Sequence, residues 1–129
     1  MSNLEEKVNQ YFHGYDESVT SGNLDAFMAT QAPDVVWNPP DRPSVVGHDA
    51  LRKYAEDEWF DVYSMRLVST VDEATPISDD FTVSRGSWKM DLTPKDESAP
   101  SSLKGTFLWL LSNKDDGFEA TRMSFSIFD

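Results

Sequence analysis

The change in the spacing of apolar residues along the chain constrains its fold more than any other feature. In the first 60 residues, apolar side chains recur every three or four positions, which is the period of an amphipathic helix. From residue 63 onward they alternate every second position, which is the period of a half-buried β-strand. Helices gathered before a run of strands favour an α+β fold over one built from βαβ units.

Three helices are predicted before the change of period. The apolar face of the first is formed by Leu4, Val8, Tyr11, Phe12, Tyr15 and Val19. Residues 21–23 end this helix and supply a cap for the next one. The second helix is predicted to include Gln31 and to stop at Ala32 and Pro33, and the third follows Gly47.

The remaining segments predict strands. A brief strand at residues 34–38 is closed by two prolines, and a proline-bearing loop follows it, with room for a short strand at its end. Long strands are predicted at residues 63–72, 81–92, 103–113 and 118–128. An Asp-Gly pair between the last two predicts a hairpin turn. The chain therefore predicts one domain over residues 1–129, with a curved antiparallel sheet wrapped around N-terminal helices.

The strand at residues 103–113 is apolar on both faces. One face, with Phe107 and Trp109, is expected to meet the helices. The other face carries Thr106, Leu108 and Leu110, and its burial calls for a second copy of the chain. The pattern therefore predicts a homodimer through the outer face of the sheet.

Composition restricts the partners and the chemistry. The 129 residues carry a formal net charge of −12, which disfavours nucleic acid and anionic lipid, since affinity for phosphate comes mainly from clustered Lys and Arg. The longest apolar run is too short to cross a membrane, and the acidic N-terminus predicts no secretory signal. Without cysteine there is no disulfide or thiolate chemistry. We therefore expect a cytoplasmic protein with an acidic, solvated surface, and a salty habitat would give the same composition.

Several segments, taken in order, resemble the nuclear transport factor 2-like superfamily in its SnoaL-like and ketosteroid isomerase-like branch. They are Tyr15 with the segment at residues 22–27, the segments at residues 32–40 and 46–52, Arg85-Gly86-Ser87-Trp88, and the Asp-Gly pair before the last strand. The resemblance implies a cystatin-like α+β barrel, a conical pocket between helices and sheet, and a homodimer. It leaves function open, because the superfamily includes isomerases, polyketide cyclases, hydratases and dehydratases.

Three positions correspond to the catalytic residues of ketosteroid isomerases. Tyr15 matches their oxyanion-hole tyrosine, and a core tyrosine with a backbone partner is the alternative interpretation. Asn38 stands where those enzymes carry the aspartate base, and an amide cannot accept the proton, although it can orient a ligand or cap a turn. Trp109 stands near their second oxyanion-hole acid. The isomerase mechanism itself is therefore not expected.

Other polar residues are candidates for the missing roles. Asp41 and His48 are candidate proton acceptors, with surface or capping roles as the alternative. Arg85 and Arg122 are candidate ligands for a carboxylate, with an internal ion pair to Glu58 or Asp91 as the alternative. The spacing of acids and histidines predicts no metal site, and no cofactor motif is present.

Two functions stay open at this stage. The first is the cofactor-free isomerisation, cyclisation or hydration of a small hydrophobic carbonyl compound, with Tyr15, Asp41 and His48 as catalytic residues. The second is a noncatalytic ligand-binding or dimerisation module. In both, an apolar pocket is expected, with ligand contacts from Phe12, Asn38, Tyr54, Arg85, Phe107, Trp109 and Arg122.

Overall fold

The structure, a computed structural model, describes residues 3–128. Its helices are α1 (Asn3–Thr20), α2 (Leu24–Ala29) and α3 (His48–Ala55), and a π-helical turn (Glu56–Phe60) continues α3. Its strands are β1 (Gln31–Asn38), β2 (Val45–Val46), β3 (Tyr63–Pro76), β4 (Phe81–Pro94), β5 (Ser101–Lys114) and β6 (Gly117–Phe125). None of the described helices has the length and hydropathy required to cross a membrane.

All six strands form one sheet in the order β2-β1-β6-β5-β4-β3. The pairs β3–β4, β4–β5 and β5–β6 are antiparallel, as predicted. The pair β1–β6 is parallel, so the sheet is mixed rather than purely antiparallel. The sheet is curved and stays open, because its edge strands β2 and β3 do not pair with each other. The predicted α+β fold, with N-terminal helices on a curved sheet, is confirmed.

Helix α1 supplies the middle of the core. Val8, Phe12, Tyr15 and Val19, which lie on its predicted apolar face, are all buried. The concave face of β5 meets this helix through Phe107, Trp109 and Leu111, which are buried as well. Alternation along β5 therefore places Phe107, Trp109 and Leu111 on the same side as the helices, and burying each of them contributes about 1.5–3 kcal/mol.

Helix α2 is shorter than the sequence predicts. Asn23 caps it, with Oδ1 accepting a hydrogen bond from the backbone N–H of Ala26, and Thr30 ends it. Gln31, expected in the helix, is the first residue of β1, where its buried side chain accepts a hydrogen bond from Trp37 Nε1 at 2.8 Å. Pro33 lies within β1 because the pairing with β6 is irregular between residues 31 and 36, so its missing N–H costs little.

Three of the four long strands, β3, β4 and β5, extend beyond their predicted ends, whereas β6 stops before its predicted end. In β3 the register to β4 shifts between Val71 and Glu73, so the bulge interrupts the alternation at the residue where the predicted strand stops. Beyond the bulge β3 continues to Pro76. At the other end of the chain β6 stops at Phe125, and Phe128 forms only an isolated bridge to Lys104.

At the start of β4, next to the turn that joins it to β3, the concave face of the sheet carries polar side chains. Thr82 and Ser84 are both buried, and Thr82 Oγ1 donates to Asn113 Oδ1 at 2.8 Å. The hydroxyl of Ser84 has no hydrogen-bond partner within residues 3–128. Burying an unpaired hydroxyl costs about 1–3 kcal/mol, so this position lowers the stability of the sheet.

Candidate functional site

A cavity of about 80 Å³ lies between the helices and the concave face of the sheet. Eleven of its eighteen lining residues are aromatic, and none of the eighteen is an acid, a histidine, a lysine or an arginine. Five residues that the sequence singled out line it together: Phe12, Tyr15, Tyr54, Phe107 and Trp109. An apolar cavity with few polar groups suits a hydrophobic ligand.

The size of the cavity limits what it can hold without rearrangement. Its volume is about half of the ~150 Å³ of an engineered apolar cavity that binds benzene. A ligand larger than a few heavy atoms must displace lining side chains. Met65 and Met90 line the cavity and suit that adjustment, because an unbranched thioether chain changes rotamer easily.

Tyr15 is positioned by α1 and by aromatic packing. Its ring centroid lies 4.8 Å from that of Trp109 in an edge-to-face arrangement, and Phe27 packs on it as well. Among residues 3–128 its hydroxyl has no hydrogen-bond partner. Burial raises the pKa of this phenol well above its ordinary value, and the neighbouring negative charge of Asp16 raises it further. The hydroxyl therefore remains protonated and can donate a hydrogen bond.

Trp109 and Tyr54 complete the polar part of the lining. The Trp109 ring is buried against its aromatic neighbours, and its indole N–H finds no acceptor within the described part of the chain. Burial raises the pKa of Tyr54, which a hydrogen bond with the Trp59 side chain partly offsets. The guanidinium carbon of Arg42 lies 4.5 Å from the centroid of the Tyr54 ring. Arg42 also forms an ion pair with Glu58, which joins the loop at residues 39–44 to the π-helical turn.

Asp16 and Ser69 form a polar contact that the sequence interpretation missed. Asp16 Oδ2 accepts from the backbone N–H of Ser69 and Oδ1 accepts from its hydroxyl, both at 2.7 Å. Burial raises the pKa of the Asp16 carboxyl, and these two bonds partly offset that effect. Ser69 lines the cavity. The available signal was its place as a polar residue in the otherwise apolar inward row of β3 (Met65, Leu67, Ser69, Val71).

The family of the chain follows from a match over most of its length. The SnoaL-like domain family matches residues 8–117, which is most of the chain. The chain belongs to the SnoaL-like domain family. Among curated proteins, none matches it in sequence.

Solved structures with the fold of this SnoaL-like domain are numerous and distant in sequence. A ketosteroid isomerase-like protein from Erwinia carotovora atroseptica SCRI1043 has a TM-score of 0.86 at 19% identity, covering 100% of this chain and 99% of its own. A candidate scytalone dehydratase from Novosphingobium aromaticivorans DSM 12444 has a TM-score of 0.87 at 11% identity, covering 97% and 84%. Hexachlorocyclohexane dehydrochlorinase LinA-type3 from Novosphingobium barchaimii LL02 has a TM-score of 0.81 at 7% identity, covering 97% and 86%. At these identities the likeness establishes the fold alone.

Three polar candidates lie outside the cavity lining of the SnoaL-like domain. Asn38 is exposed, and its Oδ1 accepts from Ser44 Oγ at 2.5 Å. Asp41 is exposed with a φ of 61°, in the loop whose Arg42 packs on Tyr54. His48 Nε2 lies 3.1 Å from the carbonyl oxygen of Met28, so this ring joins α3 to α2. The structure therefore gives these residues turn and packing contacts rather than contacts with the cavity.

The two arginines also lie away from the cavity. Arg85 is exposed on the outer face of β4, where its Nε donates to Glu73 Oε1 at 2.6 Å. Arg122 is exposed on β6 and donates to the carbonyl oxygens of Asp34 and Thr121. Neither arginine lines the cavity, and the ion-pair partner of Arg85 is Glu73 rather than the expected Glu58 or Asp91.

Acidic side chains converge at one exposed place of this SnoaL-like domain. Carboxylate oxygens of Glu56, Asp57 and Asp61 lie within 4.8 Å of one another, and within residues 3–128 this is the one such set of metal-ligating side chains. Lys53 Nζ lies 2.7 Å from Asp57 Oδ2 and neutralises part of the charge. These three carboxylates do not resemble a structural zinc site, because such sites are built from cysteine and histidine ligands.

Proposed function

We propose that this SnoaL-like domain binds a small hydrophobic carbonyl compound in its cavity, with Tyr15 donating a hydrogen bond to the carbonyl oxygen. The observation that carries the proposal is a protonated phenol without a partner among the described residues, in a cavity lined by aromatic and aliphatic side chains. Leaving such a group unpaired costs about 1–3 kcal/mol, which a bound carbonyl oxygen would offset. The Trp109 N–H is a second donor for the same oxygen.

Chemical transformation of the ligand is the second candidate function. It is supported by Asp16, a half-buried carboxylate of raised pKa in contact with the cavity-lining residue Ser69. An isomerase or dehydratase needs a proton acceptor, and burial, by raising the pKa of the Asp16 carboxyl, makes it a stronger base than an exposed aspartate. The ketosteroid isomerase-like protein and the candidate scytalone dehydratase have the same fold. No cofactor is needed for either proposal.

The test of binding uses pentan-2-one, a small ketone whose entry requires rotamer changes of lining side chains such as Met65 and Met90. Saturable chemical-shift changes are expected for cavity residues in a titration of the isotope-labelled protein. Tyr15→Phe is expected to weaken binding about fivefold, because one hydrogen bond contributes about 1 kcal/mol. Tyr11→Phe is the matched control, since its hydroxyl donates to the Thr30 carbonyl oxygen at 2.7 Å and its residue is not part of the lining. If wild type and Tyr15→Phe bind pentan-2-one with equal affinity, Tyr15 does not donate a hydrogen bond to the carbonyl oxygen.

We further propose that the outer face of the sheet forms a homodimer. Leu108 is 54% exposed on that face, and its neighbours Leu110 and Val83 are paired in register on adjacent strands. Light scattering coupled to chromatography at micromolar concentration is expected to give twice the monomer mass. Leu108→Asp is expected to give the monomer mass, and Ile77→Asp, at a residue of similar exposure in the β3–β4 turn, is expected to leave the dimer intact. A monomeric wild type would contradict the proposal.

A further inference from the structure

The polar groups around the cavity are not equivalent as hydrogen-bond partners. The Tyr15 hydroxyl and the Trp109 N–H have no acceptor among the described residues, so both can donate to a ligand. Ser69 differs, because its own proton is already used. Its Oγ donates to Asp16 Oδ1 at 2.7 Å, and its backbone N–H donates to Oδ2 of the same carboxylate.

The double contact fixes the polarity of the Ser69 hydroxyl. An ionised carboxylate accepts hydrogen bonds and has none to donate. Because Asp16 accepts from both groups of Ser69, the serine oxygen keeps only its lone pairs for a further partner. The negative charge of Asp16 also increases the electron density on that oxygen through the shared hydrogen bond. Ser69 can thus only accept a hydrogen bond from a ligand, whereas the Trp109 N–H can only donate and the Tyr15 hydroxyl can donate as well as accept.

We propose that the ligand carries a hydroxyl group in addition to its carbonyl, and that Ser69, oriented by Asp16, accepts the hydrogen bond of that hydroxyl. The inference rests on the proposed binding of a carbonyl compound and names the substrate class more narrowly. A small hydroxyketone presents one acceptor and one donor, which matches the donors Tyr15 and Trp109 and the acceptor Ser69. Asp16 is a positioning residue in this arrangement, because it acts on the ligand through Ser69.

The test compares two ketones of nearly equal shape, 4-hydroxybutan-2-one and pentan-2-one, in which a hydroxyl replaces a methyl group. Dissociation constants are measured by NMR titration at about pH 8, where aspartate carboxyls are ordinarily ionised. The measured quantity is the ratio of the two constants, which cancels changes that affect both ligands alike. Ser69→Ala is expected to lower the preference for the hydroxyketone about fivefold and to leave the affinity for pentan-2-one within about twofold.

A matched control uses Ser64→Ala. Ser64 lies on the same strand and is exposed, outside the lining, so its ratio is expected to equal that of the wild type. Dispersion of the amide resonances checks that each variant is folded. Ser69→Ala keeps the backbone N–H that donates to Asp16, so the link between α1 and β3 is retained in part.

Asp16→Asn tests the positioning role with a readout that stability alone would not move. The asparagine amide can donate to Ser69 Oγ, which frees the serine proton to point at the ligand. A methoxy group accepts and cannot donate, so wild type is expected to disfavour 4-methoxybutan-2-one relative to 4-hydroxybutan-2-one. In Asp16→Asn, the ratio of the affinity for 4-hydroxybutan-2-one to that for 4-methoxybutan-2-one is expected to fall about fivefold.

The outcomes separate this inference from the proposed function. If pentan-2-one binds the wild type and Ser69→Ala leaves the ratio unchanged, the role of Ser69 is overturned while ketone binding stands. An unchanged preference for hydroxyl over methoxy in Asp16→Asn overturns the positioning role of Asp16. If neither ketone shifts any cavity resonance of the wild type, the proposed function and this inference both fail.

Discussion

Gly86→Ala is expected to lower the free energy of unfolding by about 3 kcal/mol, at the upper end of the costs of overpacking. A Cβ atom at this position of β4 would lie 1.9 Å from the carbonyl oxygen of Thr70 and 2.9 Å from Cε2 of Phe107. The first contact is with the backbone of the neighbouring strand, which a rotamer change cannot relieve. The strand must move, and Phe107, which lines the cavity, must move with it.

The measurement is urea unfolding followed by tryptophan fluorescence, and Gly14→Ala is the control. A Cβ at Gly14 would have no atom within 4 Å, and this residue lies inside α1. The same substitution there is expected to raise stability by up to about 1 kcal/mol, because alanine favours a helix more than glycine does. If Gly86→Ala is as stable as the wild type, β3 and β4 can move apart at this position without loss of stability, and the prediction is wrong.

Trp109→Ala is expected to lower the free energy of unfolding by about 4 kcal/mol, the cost of truncating a buried aromatic residue. The indole is 3% exposed and lies at the centre of the aromatic cluster. Its ring centroid is 4.8 Å from that of Tyr15 and 5.0 Å from that of Phe12. Removing it also joins its volume to the existing cavity.

Rescue by a ligand distinguishes cavity formation from general damage. Free indole is expected to bind Trp109→Ala and to raise its stability with indole concentration, as for any ligand that binds only the folded state. Trp59→Ala is the control, since Trp59 also lines the cavity but is only half-buried, and a smaller loss is expected. If Trp109→Ala unfolds at the same urea concentration as Trp59→Ala, the central role of Trp109 in the core is incorrect.

Much of the fold could be predicted because each element carries its own periodic pattern. The apolar face of α1 and the alternation in β5 are both local signals, and both elements have their predicted faces. Pairing direction is not a local property, so nothing in residues 34–38 indicated that β1 runs parallel to β6. The bulge after Val71 was missed for the related reason that a register shift looks like the end of an alternating pattern.

The site was predictable where it depends on apolar side chains. Phe12, Tyr15 and Trp109 lie on predicted inward faces and line the cavity. Arg85 lies on the outer face because side chains alternate along a strand, and Gly86 and Trp88 of the same strand face inward. Loop residues such as Asp41 have no periodic pattern, so their direction depends on the loop conformation. The contact between Asp16 and Ser69 joins residues 53 positions apart, which a single sequence does not pair.

The parallel pairing of β1 and β6 has a consequence for synthesis on the ribosome. Of the six described strands, β6 is the last in chain order but lies inside the sheet, and its Arg122 reaches the carbonyl oxygen of Asp34 across 88 positions. Until that strand emerges, β1 has no partner on that side and the aromatic groups of β5 have an open flank. Completion of the sheet therefore waits for β6, and until that strand pairs, the open edge of β1 and the aromatic groups of β5 are available for non-native contacts.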